Sequence, residues 1–218
     1  MTQPPPAMTP PTPLPPLPAG RTALLLVDLQ NGTCGPEQAR RRPGFQQRFA
    51  SVTLPNLQAL LQASRQAGLE VIHTVIANLT ANGRDRSADY KRCGMGFPPG
   101  SREARVIAEL APLGDELVLP KSSSSPFHST TLDYLLRNMG IEVLVVAGLL
   151  TDQCIDHTVK DAADRGYAVI CVHDACQAET PERHQAALAC FGGYCRQVSC
   201  AGFAGALARS SSTVGPTQ

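Results

Sequence analysis

Short, mostly apolar runs alternate along the chain with longer stretches whose apolar residues recur every three or four positions. The runs Ala23–Val27, Leu69–Val75, Glu116–Leu119, Val143–Ala147, Tyr167–Val172 and Arg196–Cys200 read as strands. Their lack of in-out alternation is what strands covered on both faces show. Between them, Gln46–Gln66 places Phe49, Val52, Leu57, Leu60 and Leu61 on one broad face, with Pro55 positioned to kink or split the helix. Further helices are expected over Ser101–Leu110, Thr130–Asn138, from Thr151 or Asp152 to Arg165, and over Pro181–Phe191, several of them stopped by a glycine. Only 76–100 lacks a period, and a loop that long in a compact domain is usually functional or flexible. Strand-helix alternation of this kind predicts an α/β fold, a mostly parallel sheet with helices on both faces and right-handed crossovers.

The length, 218 residues, suits one large domain, expected over 21–208. Residues 1–20 are dominated by proline and read as a disordered arm, either a passive tail or a strap for a neighbouring subunit, and 209–218 as a disordered tail. The arm has neither a basic nor an apolar region of the kind a secretory signal needs, and no apolar run is long enough for a bilayer. The net charge of +1, with no basic or acidic block, points away from nucleic acid and membrane surfaces as partners. Eight cysteines without any CxxC spacing, in a chain this long, read as mostly reduced, buried thiols of a cytoplasmic protein rather than a disulfide framework or zinc site.

Three reactive side chains stand where apolar strands end. Asp28 follows Ala23–Val27, Lys121 follows Glu116–Leu119, and Cys154 falls in the first helical turn after Val143–Ala147. Ligands of open α/β sheets bind outside the carboxyl ends of strands, so an acid, an amine and a thiol converging there point to a site. A helix start favours thiolate over thiol. If the first and fourth strands are neighbours, Asp28 and Cys154 meet. His157, one turn beyond Cys154, is the rival base. The arginines of 76–100 are candidates for holding a substrate carboxylate. The fingerprints GxGxxG, GxxxxGK[ST] and GxSxG are absent, so dinucleotide, P-loop and serine-elbow chemistry lack support.

The segments Leu-Leu-Val-Asp28-Leu-Gln-Asn, Leu-Pro-Lys121 with Phe127 and Thr130-Thr131-Leu132, and Ala-Gly-Leu-Leu-Thr-Asp-Gln-Cys154 resemble the isochorismatase-like cysteine hydrolases, in that family's order, over about 21–199. The resemblance implies a six-stranded parallel sheet and a catalytic triad of Asp28, Lys121 and Cys154. It implies a cis peptide at Leu149–Leu150 and an oxyanion hole from the backbone N–H groups of Leu150 and Cys154. Gln30, Phe127 and Asp152 are expected at the substrate pocket. Within the family, the Ser122–Ser125 run and Gly193-Tyr194-Cys195-Arg196 are most similar to amidases acting on carbamoyl or ureido compounds. That implies hydrolysis of a small amide or urea-like substrate through a thioester, with no cofactor. The metal-binding Asp-x-His-x-His pattern of nicotinamidases is missing, and a homodimer or homotetramer is expected. The alternatives are a vinyl-ether hydrolase of the isochorismate type and a non-catalytic binding protein on the same fold.

Overall fold

The structure is a computed structural model and describes residues 14–212. Its centre is a sheet of six parallel strands, β1 (Thr22–Val27), β2 (Glu70–Ile76), β3 (Leu117–Lys121), β4 (Val143–Leu149), β5 (Ala168–Gln177) and β6 (Arg196–Val198), in the order β3-β2-β1-β4-β5-β6. Every residue of β1 and β4 is buried, as their unbroken apolar runs require. Edge strand β3 instead alternates half-buried and exposed positions until the buried Lys121. The helices are α1 (Asn31–Cys34), α2 (Pro43–Arg48), α3 (Leu54–Gln66), α4 (Ala88–Cys93), α5 (Pro126–Ser129), α6 (Leu132–Asn138), α7 (Asp156–Asp164), α8 (Pro181–Phe191) and α9 (Cys200–Ser212). Helices α3 and α9 pack together against the sheet, and α5, α7 and α8 form a second group over β4 and β5, giving three layers.

Several elements depart from the sequence expectation. The single helix over 46–66 is α2, a wide π-helical turn Phe49–Thr53, and α3, with Pro55 directly after that turn in the first turn of α3. Residues 101–110 are not a helix beyond a 3-10 turn at Ala108–Leu110. Their backbone is bound elsewhere: the carbonyls of Glu103 and Arg105 accept the N–H groups of Gly32 and Asn31, and Gln30 bridges to Val106. Strand β5 runs past Val172 through a bulge over Val172–Ala175, with Cys171 opposite Val146 and Cys176 opposite Gly148. Helix α9 was not expected from the pattern. Of the proline-rich arm, residues 1–13 lie outside the described residues, but Leu17 is buried in the main core and Leu14 packs on it, so this part is anchored. The expected tail begins inside α9, and 213–218 lie outside the described residues. Among the described residues no helix is long and apolar enough to cross a membrane.

The strand order reverses between β1 and β4, and the ends of these two strands are drawn together by a glycine. Gly148 has φ +129°, and a Cβ there would lie 2.2 Å from the carbonyl oxygen of Val27. Gly148→Ala combines that clash with a disfavoured backbone and is expected to cost on the order of 2–4 kcal/mol. Urea unfolding checks this, and a loss below about 0.5 kcal/mol, the range of ordinary surface changes, would show the close approach to be immaterial.

Candidate active site

At the switch point, β1 ends on Asp28, whose φ of +60° makes it the one described non-glycine residue in the left-handed region. Such outliers gather at functional sites, and aspartate tolerates the conformation better than most residues. Its N–H donates to Thr74 O of β2 at 3.0 Å, and the Thr33 hydroxyl donates to its carbonyl. The next turn is fixed by Gln30, whose side-chain amide donates to Ile76 O (2.9 Å) and Glu103 O (3.0 Å).

Lys121 closes β3 beside Ile76 of β2, its ammonium fully buried. It lies 2.9 Å from Asp28 Oδ2 and donates to Ser123 O (2.9 Å), Tyr90 Oη (3.0 Å) and Cys154 Sγ (3.3 Å). Cys154 sits in a π-helical turn, Thr151–Ile155, that leads into α7, and its carbonyl accepts the buried Thr158 hydroxyl at 2.6 Å. π turns inside helices recur at functional sites. The Leu149–Leu150 peptide that enters this turn is cis. An acid, an amine and a thiol separated by dozens of residues therefore meet in one buried cluster.

Burial controls the charge states. It pushes the Asp28 carboxyl above its ordinary range, with the Lys121 ammonium pulling back only part of the way. Burial alone would lower Lys121, but the negative charges of Asp28 and its neighbours outweigh it and leave the ammonium firmly protonated. Burial pushes the Cys154 thiol up to about 12, again against the pull of Lys121. Desolvation therefore opposes the thiolate that the helix start alone favours, and Lys121 supports it.

A cavity of about 290 Å³ opens above the sulfur. Asp28, Cys154, Leu149 and Leu150 line it together with Ile76, and Gly94, Met95, Gly96 and Phe97 form a wall. Gly32, Thr33, Gln38, Arg41, Arg42 and Gln153 complete the lining. Gln30, Phe127 and Asp152, expected at the pocket, do not line it. Gln30 is spent on backbone at the end of β2. Phe127 turns into the helical layer, its ring 6.0 Å from that of Tyr167 and 4.9 Å beneath the Arg165 guanidinium. Asp152 points away to Arg183 of α8. His157 is exposed and held by Gln153 O at 2.9 Å, so it does not face the sulfur.

The cationic residues of 76–100 do not line the cavity either. Arg86 is a brace, donating to Gly83 O (3.1 Å) and Met95 O (2.9 Å). Tyr90 is the residue the pattern did not single out: it is buried, with its hydroxyl 3.0 Å from Lys121 Nζ and 3.6 Å from Cys154 Sγ. The signal was present in Ser87-Ala-Asp-Tyr-Lys-Arg-Cys-Gly94, a capped helix in miniature. Ser87 accepts the Tyr90 N–H at the start, and left-handed Gly94 ends it. All eight cysteines are free, with Cys93 and Cys190 exposed and the other six buried. Among the described residues no group of three or more His, Cys, Asp or Glu side chains is arranged to hold a metal ion.

The fold recurs in known proteins. The isochorismatase domain matches residues 22–201. The ureidoacrylate amidohydrolase RutB of Pantoea ananatis (strain LMG 20103) is 30% identical over 183 residues, covering 77% of this chain and 73% of that protein. The N-carbamoylsarcosine amidase of Arthrobacter sp is 30% identical over 158 residues, 69% of this chain but only 57% of that protein. The structure of a cysteine hydrolase from Pseudomonas syringae pv. phaseolicola 1448A superposes with a TM-score of 0.81 at 24% identity, over 94% of this chain and all of that one, which speaks to the fold. With a domain match over nearly the whole described chain, and relatives of like sequence named as an amidohydrolase and an amidase, this chain belongs to the isochorismatase domain family of hydrolases.

Proposed function

We propose that the protein is a cysteine-nucleophile amidohydrolase that cleaves a C–N bond of a small amide, carbamoyl or ureido compound. The observation that carries this reading is the contact of Lys121 with both Asp28 (2.9 Å) and Cys154 (3.3 Å) at the base of the cavity. Asp28, its proton affinity raised by burial, takes the thiol proton as substrate binds. Lys121 stabilises the thiolate that this leaves, its ammonium 3.3 Å from the sulfur. The thiolate attacks the carbonyl carbon, and the backbone N–H groups of Leu150 and Cys154 receive the oxyanion. Asp28 returns its proton to the departing ammonia or amine, leaving a thioester on Cys154, or a thiocarbamate from a ureido substrate, which water then releases. Three interacting groups this close titrate as a unit. The names of the relatives from Pantoea and Arthrobacter support the ureido and carbamoyl class.

A panel of biuret, carbamoyl amino acids, nicotinamide and maleamate, assayed for ammonia, tests the reading. Ammonia from at least one carbamoyl or ureido compound is the expected result. Pyruvate from isochorismate without ammonia from any of the panel would favour vinyl-ether hydrolysis, and neither product would leave a binding protein.

Arg41 and Arg42 both line the cavity, but they are not equivalent. Arg42 is paired with Glu179 at 3.1 Å and lies over the Phe45 ring at 4.2 Å. Among the described residues Arg41 has no acidic side chain within ion-pair distance, so its charge is available to a substrate carboxylate. Arg41→Gln is expected to raise KM for carboxylate-bearing carbamoyl substrates by roughly tenfold, the value of one exposed charged hydrogen bond, with kcat unchanged. Neutral biuret serves as the control and should show no change. Equal effects on both substrates would remove this role.

A further inference from the structure

The hydrogen count around Lys121 assigns a task to Tyr90. An ammonium carries three hydrogens. Four acceptors surround this one: Asp28 Oδ2 and Ser123 O at 2.9 Å, Tyr90 Oη at 3.0 Å and Cys154 Sγ at 3.3 Å. Ser123 O, Tyr90 Oη and Cys154 Sγ take its three hydrogens, and Asp28 Oδ2 meets it as an ion pair. Because the Tyr90 oxygen accepts from Lys121, its single hydrogen must point elsewhere, and the polar atom within reach is Cys154 Sγ at 3.6 Å. A neutral thiol accepts weakly, whereas a thiolate accepts well.

We propose that Tyr90 is a fourth catalytic residue, whose hydroxyl donates to the Cys154 sulfur as it becomes thiolate and holds the nucleophile in its charged form. The thiol proton passes to the Asp28 carboxylate, and Tyr90 keeps its own. Burial pushes the phenol above its usual range despite the opposing ammonium, so it remains a donor throughout. The placement also links two jobs. Tyr90 belongs to α4, and the residues directly after α4, from Gly94 to Phe97, form the cavity wall. The same segment is tied to the strand that carries Lys121, through Ser87 N–H to Ser122 O (2.9 Å) and the Ser122 hydroxyl to Asp85 O (3.2 Å). The segment that shapes the pocket thereby delivers the group that stabilises the thiolate.

The proposal rests on Cys154 being the nucleophile, and its test needs no substrate. Iodoacetamide labelling of the Cys154 peptide is followed against pH in the full-length protein and in Tyr90→Phe. Asp28 from the end of β1 and Lys121 from β3 lie against the sulfur, and Arg41 and Arg42 from the segment before α2 line the cavity, in both proteins, so the difference isolates the phenol. The expected result is a labelling profile moved to higher pH in Tyr90→Phe. At a given pH below the transition, labelling slows roughly 10- to 100-fold, as losing one hydrogen bond to a charged group implies. On a substrate identified by the panel, kcat falls by a similar factor with KM within about twofold. Replacing Tyr90 with 3-fluorotyrosine, a stronger donor, moves the profile the opposite way and covers the case in which Tyr90→Phe does not fold. Superimposable labelling profiles would overturn the proposal, even if Tyr90→Phe lost activity, since the phenol would then only fill space. Retained turnover in Cys154→Ala would instead remove the premise, a different outcome from a failure of Tyr90.

Discussion

Cys154→Ala is expected to abolish turnover, with a loss of about 10,000-fold or more, while the protein stays folded. The reason is geometric: the sulfur is the nucleophilic atom that both touches Lys121 and lines the cavity. No other cysteine lines that cavity, and His157, the nearest rival in sequence, faces solvent. The fold should survive because the change removes one atom at a cavity edge, at a cost of about 1 kcal/mol. Cys154→Ser is expected to be nearly as inactive, because a hydroxyl is far harder to deprotonate than a thiol already pushed up to about 12. Substantial activity in Cys154→Ala, with circular dichroism unchanged, would reject the nucleophile.

Lys121→Met should have the second-largest effect, and on two properties together. The Asp28 carboxylate is 1% exposed and has Lys121 as its cationic partner. Removing one member of a buried pair strands the other, and the expected loss of stability is about 3–5 kcal/mol. Asp28 relieves this by binding a proton, which disables it as a base, so activity falls at least about 1,000-fold. The double variant Asp28→Asn/Lys121→Met separates the two effects. With no charge left to strand, most of the lost stability returns, while activity does not. Additive destabilisation in this cycle, measured by urea unfolding, would show the pair to be uncoupled.

How much of this was legible in the sequence depended on what each residue answers to. Strands β1 and β4 were readable because burial on both faces demands unbroken apolar runs, and their ends located Asp28 and Cys154. The strand-helix alternation implied a parallel sheet but left the adjacency of these two strands open, and the strand order supplies it. Elements whose backbone is satisfied by distant partners were not readable. The 101–110 segment has helix-like composition, but Asn31, Gly32 and Gln30 take its backbone groups. The β5 bulge places His173 and Asp174 inside what is otherwise an apolar strand, so the strand ended early by pattern. Helix α9, rich in alanine and glycine, presents only a thin apolar stripe through Phe203 and Leu207.

The site divides in the same way. Asp28, Lys121 and Cys154 were found because each is a reactive group where reactive groups are rare. The pocket was missed because its lining is set by loops and not by period. The segment 76–100 does supply a wall, Gly94 to Phe97, but Phe127 and the arginines of that segment do not line the cavity while Phe97 and Arg41 do, since nothing in local sequence states which way a loop side chain turns. Gly32 illustrates the dependence: a Cβ there would lie 2.4 Å from the Phe97 ring, so a glycine dozens of residues away decides where that wall stands.

The most direct measurement is the covalent state of Cys154 during a single turnover. The enzyme is mixed with a carbamoyl or ureido substrate, quenched in acid over a time course, digested, and the peptide carrying Cys154 weighed. The expected result is a transient mass increase equal to the acyl or carbamoyl group, confined to that peptide, rising before and decaying with product release. Complete turnover with the Cys154 peptide unmodified at every time, or the increment on a different cysteine, would contradict the mechanism.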